Sequence, residues 1–171
     1  MGKRVLATLL SVAMLLSLTI VPVGAASDEN VPTVKLDTVS FTEADVTGFS
    51  EEGNKSDVNL NDTIAVKSVL TNTTSKTLYV SGFSQKLSYD SSALELYTFT
   101  YKPNPKKDKT VTEGPIITKE AVTDVPGSWI RATNTDVAGI VIWNATGDEK
   151  IEIESGETAT LGYVLFKVKA D

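Results

Sequence analysis

From Thr33 onward the chain repeats one pattern: a short alternating or all-apolar run, then a cluster of Asn, Asp, Gly or Ser. Nine such runs can be read, at 33–41, 63–70, 78–89, 94–101, 116–121, 130–133, 139–144, 150–154 and 159–169. Glu52-Gly53-Asn54, Asn72-Thr73-Thr74, Gly147-Asp148 and Ser155-Gly156 supply turn chemistry between them. A period of two sends successive side chains to opposite faces of a strand, whereas a helix repeats at three and four. No stretch keeps the helical period beyond about two turns. The pattern therefore predicts an all-β protein, an antiparallel β-sandwich or jelly roll of about nine strands.

The first 26 residues do not belong to that pattern. Lys3 and Arg4 precede an apolar run from Val5 to Val23, and Gly24-Ala25-Ala26 offers small residues for cleavage. That order reads as a secretory signal peptide, cut after Ala26 or, as the close second choice, after Ala25. The alternative is an N-terminal membrane anchor, against which Pro22 and the Gly-Ala-Ala end argue. Residues 27–171 are then one secreted or extracellular domain, possessing no second apolar span for membrane insertion. Its size suits a single core. Loss of Lys3 and Arg4 takes a net charge of −6 two units further negative. Such a surface disfavours nucleic acid and anionic membranes as partners. With no cysteine, the domain must be held by packing and backbone pairing alone.

Faces can be assigned in three strands. Phe83, Leu87 and Tyr89 share one side of 82–89 with Gln85, which needs hydrogen-bond partners if buried. Gly82, Ser84, Lys86 and Ser88 share the other. In 139–144, Val141 and Trp143 alternate with Ile140 and Ile142, so both faces are apolar. In 159–169, Val164, Phe166 and Val168 oppose Tyr163, Leu165 and Lys167. Lys102-Pro103-Asn104-Pro105-Lys106-Lys107-Asp108-Lys109 is a basic loop in which proline excludes a central strand.

The chemistry of enzymes is thin here. The absence of His and Cys removes Ser–His–Asp and Cys–His nucleophiles, imidazole bases and ordinary zinc sites. No glycine-rich phosphate loop and no calcium loop of D-x-D-x-D-G type occurs, so no metal or cofactor is expected. Carboxylates are plentiful, but Glu152 and Glu154 sit opposite Ile151 and Ile153, as on a solvated strand face. The chain reads as non-catalytic. For carbohydrate binding an exposed aromatic platform is needed. Alternation puts Trp143 in the core, which leaves Trp129, after Pro126-Gly127-Ser128, either to form one or to plug an end of the sandwich.

The decapeptide Leu87-Ser88-Tyr89-Asp90-Ser91-Ser92-Ala93-Leu94-Glu95-Leu96 reads as strand, capped turn and strand, with Asp90 accepting from backbone N–H groups ahead of it. Together with Gly139-Ile140-Val141-Ile142-Trp143 and the closing Leu161-Gly162-Tyr163-Val164-Leu165-Phe166-Lys167-Val168-Lys169, it resembles phrases of cohesin domains, the modules that grip dockerins in cellulosome-type assemblies. Order and spacing of the three agree with that family. The resemblance implies a nine-stranded jelly roll that binds a dockerin on a carbohydrate-active enzyme through one sheet face, without catalysis. Carried over by position, it implies partner-binding roles for Gly82, Ser84, Lys86 and Ser88, and for Ile140, Ile142, Asn144 and Ala145. The chain departs from the best-known subtype, which has Asn and Asp at the positions of Gly82 and Ser84 and an acidic residue near Ala145. The competing expectation is a carbohydrate-binding module of the same sandwich type, with a polysaccharide ligand and an exposed Trp129.

Overall fold

The computed structural model describes residues 19–20, 32–44 and 47–169. The expected leader and its cleavage point lie outside these residues, apart from Thr19–Ile20. Every regular element among the described residues is a strand: β1 (Thr19–Ile20), β2 (Thr33–Ala44), β3 (Gly48–Asn54), β4 (Thr63–Thr71), β5 (Leu78–Ser88), β6 (Leu94–Leu96), β7 (Phe99–Tyr101), β8 (Val111–Glu113), β9 (Ile116–Ile117), β10 (Ile130–Asn134), β11 (Ile140–Ile153) and β12 (Thr158–Val168). One sheet has the order β1-β5-β11-β10; the other runs β3-β2-β4-β12-β6, with β9 also on β12; β7 and β8 form a separate hairpin. All pairings are antiparallel. The chain changes sheet between β4 and β5, β5 and β6, β9 and β10, and β11 and β12. Such repeated crossing builds a sandwich, with only β2–β4 and β10–β11 staying in one of the two sheets as consecutive strands.

The sequence 87–96 makes one of these crossings, carrying the chain from β5 to β6. Asp90 Oδ1 accepts from the Ser92 N–H at 2.8 Å and from the Ser92 hydroxyl at 2.6 Å. Leu94 N–H closes the turn on Asp90 O at 2.9 Å. The hydroxyl of Ser92 also holds the Asp90 carboxyl below its ordinary pKa, because the hydrogen bond favours the charged form. Tyr89 then packs on Phe166 of β12, ring centres 4.9 Å apart.

The sheets bury their facing sides as the alternation requires. Val80, Phe83 and Leu87 of β5 and Val141, Trp143 and Ala145 of β11 meet Ile64, Val66 and Leu70 of β4 and Val164 and Phe166 of β12. The six-stranded sheet is covered on its other side too. Val39, Phe41, Phe49, Ala65, Ile117, Tyr163 and Leu165 form a second core with Phe99, against which Tyr97 and Tyr101 also pack. The β7–β8 hairpin, with Tyr97 and Val122 beside it, thus supplies a third layer, and β12 is buried on both faces from Leu161 to Phe166. The lysine-rich segment 102–109 is the exposed connection at the tip of β7–β8, as its prolines predict.

Eleven strands follow β1, against nine expected. The run 94–101 breaks at Tyr97-Thr98 as it passes from the large sheet to the outer hairpin. Only Ile116–Ile117 of the run 116–121 pairs. Glu52-Gly53-Asn54, expected as a turn, ends β3, an edge strand in which Glu52 faces water while Glu51 is half-buried against Lys67 and Tyr163. Conversely, 139–144 and 150–154 join in β11, because Gly147-Asp148 makes a bulge within one strand: register with β5 shifts between Thr146 and Ile151. Gly139 stays outside it at φ 80°, where an L side chain is strained.

Candidate functional site

The outer face of the β5-β11-β10 sheet is built by register. Gly82, Ser84, Lys86 and Ser88 stand opposite Thr146, Asn144, Ile142 and Ile140 of β11. On the far side, Thr146, Asn144 and Ile142 stand opposite Ile130, Ala132 and Asn134 of β10. Directly paired residues share a face. Eleven side-chain positions therefore form one surface, in which hydroxyl and amide groups alternate with Ile130, Ala132, Ile140 and Ile142. Gly82 lets β5 and β11 approach at the bulge, since a Cβ there would lie 2.9 Å from Thr146 Oγ1. A shallow depression of about 500 Å³ runs over Gly82, Ser84, Ile130, Ala132 and Asn144.

Seven of the eight expected site residues lie on this face. Ser84, Lys86, Ser88, Ile140 and Ile142 are partly exposed, as is Gly82, and Asn144 is exposed. Ala145 is a correction. Its side chain is 1% exposed and lies in the inter-sheet core, because alternation that turns Asn144 outward must turn Ala145 inward.

Sequence alternation alone assigns no face to so short a strand as β10, and so misses Ile130. This side chain is 76% exposed, the most open large apolar residue among those described. Arg131 is what turns it outward. Its guanidinium donates inward to five carbonyls: Thr118 O at 3.1 Å, Val125 O at 3.3 Å, Pro126 O at 2.8 Å, Gly127 O at 3.2 Å and Trp129 O at 2.8 Å. With Arg131 committed to the loop below, Ile130 and Ala132 must face water. The signal in the sequence is an arginine between two apolar residues in a short edge strand.

Trp129 is also settled by this loop. It is 3% exposed, packs beside Phe83 with centroids 6.2 Å apart, and donates from Nε1 to Glu149 O at 2.8 Å. It plugs the end of the sandwich, and the exposed Trp129 that a carbohydrate-binding module requires is absent. Trp143, as expected, is in the core.

Charge divides the sheet. Lys86 is the only charged residue among the eleven face positions, and no carboxylate pairs with it among the described residues. The bulge and the chain after it carry Asp148, Glu149, Glu152 and Glu154, partly occupied with neighbours, and Lys150, whose ammonium lies 5.9 Å from the centre of the Tyr79 ring. Tyr79 OH donates to Glu152 Oε1 at 3.1 Å, which raises the phenol pKa, and Ser128 Oγ donates to Glu149 Oε2 at 2.8 Å. A second depression, of about 460 Å³, lies by Glu113, Lys119, Glu120 and Arg131. Three of these four charges are engaged within the domain: Lys119 Nζ pairs with Glu113 Oε1 at 2.5 Å, Glu113 Oε2 accepts from Phe49 N–H at 3.0 Å, and Arg131 donates to the loop carbonyls, while Glu120 is exposed. Among the described residues, no group of three His, Cys, Asp or Glu is placed to hold a metal ion.

At the free side of β5 the sheet continues into β1, with Thr19 opposite Ser84 and Ile20 opposite Phe83. Those two residues belong to the segment that the sequence pattern reads as a leader. No family model, curated protein or solved structure matches the chain.

Proposed function

We propose that the protein is a secreted, non-catalytic binding module of cohesin type, which grips a protein partner through the outer face of β5, β11 and β10. The observation that carries the reading is the set of Ile130, Ala132, Ile140 and Ile142 distributed over a face whose eleven positions carry a single charge, in a chain otherwise rich in carboxylates. Apolar side chains rimmed by hydroxyl and amide groups are what a protein interface core and its edge require. A flat three-stranded surface suits an interface burying about 800 Å² on each partner. The resemblance at 87–96, 139–143 and 161–169 supports a dockerin module on a carbohydrate-active enzyme as the partner. Nucleic acid and membrane insertion have no place in this reading, and extracellular location follows from the leader-like residues 1–26.

The test is retention. Immobilised 27–171 should hold back, from the producing organism's secreted proteins, enzymes that share a small duplicated calcium-binding module. Retention only of proteins without such a module would end the dockerin assignment.

A further inference from the structure

We propose that the partner reads this face through a carboxylate set over Lys86 and flanked by apolar side chains, so that the docking element is an acidic amphipathic protein segment. The inference rests on the binding face proposed above and adds the charge that face selects. Lys86 stands in the row Lys86, Ile142, Asn134, with Ser84 and Ser88 before and after it on its own strand. Its ammonium has no salt bridge among the described residues. The neighbours can donate or accept hydrogen bonds, but none carries the opposite charge. On a protein with 22 acidic residues, a lysine left without one among the isoleucines of this outer face is a site of charge complementarity.

Docking would desolvate this ammonium, and an unpaired buried cation is costly; a carboxylate from the partner removes that cost. The acidic end of the sheet works in the same direction. Asp148 and Glu149 in the bulge and Glu152 and Glu154 past it outnumber Lys150, the one cation of that stretch, so a segment carrying its negative charge over Lys86 and neutral or basic residues toward Glu149 has one favoured direction along β11. A basic segment would be repelled at Lys86 and drawn away from Ile140 and Ile142. The face therefore fixes both the sign of the partner's central charge and the orientation in which it lies.

Random peptides serve as the probe. A phage-displayed library is selected on immobilised 27–171, and on its Lys86→Glu and Ile130→Asp variants. Ile130 is exposed, so its variant keeps the fold; cooperative unfolding of both variants checks this. The wild-type chain should enrich peptides combining Asp or Glu with apolar residues. Lys86→Glu should weaken their retention about tenfold and enrich Lys or Arg in their place, and Ile130→Asp should release them. Peptides that need Ile130 but show no acidic enrichment, with Lys86→Glu indifferent, would overturn the charge assignment and leave the binding face standing. Enriched peptides indifferent to Ile130→Asp, or no enrichment at all, would overturn both.

Discussion

Gln85 and Ser68 join the two sheets by a buried hydrogen bond, Nε2 to Oγ at 2.7 Å. Gln85 is the polar residue on the core side of β5, and both partners are fully buried. The bond satisfies only part of the amide. Gln85 Oε1 has no partner, and neither does Nε1 of Trp143, which stands directly opposite in β11. A half-satisfied polar pair in a low-dielectric core contributes less than its geometry suggests.

The first prediction follows from that asymmetry. Gln85→Ala leaves a cavity and an orphaned Ser68 hydroxyl, and should cost about 2–4 kcal/mol in urea unfolding. Gln85→Met combined with Ser68→Ala removes both polar partners at nearly constant volume, and should fall within about 1 kcal/mol of the parent. A double variant as weak as Gln85→Ala would show that the bond itself sustains the core.

Arg131 should prove structural in stability and functional in consequence. Its five carbonyl bonds tie β10 to the 118–129 loop. Arg131→Lys keeps the charge but cannot reproduce the planar fork, and should cost about 2–3 kcal/mol. Amide exchange should rise first in β10 and the loop beneath it. Protection unchanged at Ile130–Asn134 would mean the strand is held by β11 alone.

Gly147 gives a steric prediction. A Cβ there would lie 2.5 Å from Trp129 Cδ1, and the ring is held by its bond to Glu149 O. Gly147→Ala should destabilise by about 1–3 kcal/mol and alter the near-ultraviolet dichroism of Trp129. Parental stability in this variant would show that the indole can retreat.

Alkali should loosen the outer layer. Tyr97 OH donates to Glu43 Oε1 at 2.6 Å, and that bond, with burial and the carboxylate charge, pushes the phenol up to about 12. Tyr163, buried and bonded to Glu51, is raised as well. The unfolded phenol ionises near its ordinary 10, so between there and about 12 the native state holds more protons and stability falls as pH rises. The contribution is complete below pH 10 and lost through the folded pKa. The stability gap between the parent and Tyr97→Phe should therefore narrow between about pH 9 and about pH 12; a constant gap would contradict the assignment.

Strand faces set by strict alternation were legible in the sequence. Phe83, Leu87, Val141 and Trp143 are inward and Lys86, Ile142 and Asn144 outward, because one side of the sheet had to be dry. The Asp90 turn was legible for a similar reason: its hydrogen bonds are local to a few residues. What alternation cannot supply is contact between distant segments. The second core needs Phe99 and Tyr101 folded back over Phe41 and Phe49, and nothing local in 97–122 announces that layer. Ile130 escapes a reading by alternation because its exposure depends on Arg131 finding carbonyls in a loop. Ala145 was misplaced because position by family likeness was set above the period of two that its own strand obeys. Gly147-Asp148 reads equally well as a turn or a bulge, and only pairing with β5 decides between them.

The central claim is that the β5-β11-β10 face holds the partner. Its most direct measurement is retention of secreted proteins on immobilised wild-type 27–171 beside Ile142→Asp, with folding of each confirmed by cooperative thermal unfolding. The account predicts a folded Ile142→Asp domain that loses the dockerin-bearing enzymes held by the wild type, since a charge enters a surface that must be desolvated. Undiminished retention by the folded variant, or failure of the variant to fold because Ile142 belongs to the core, would contradict it.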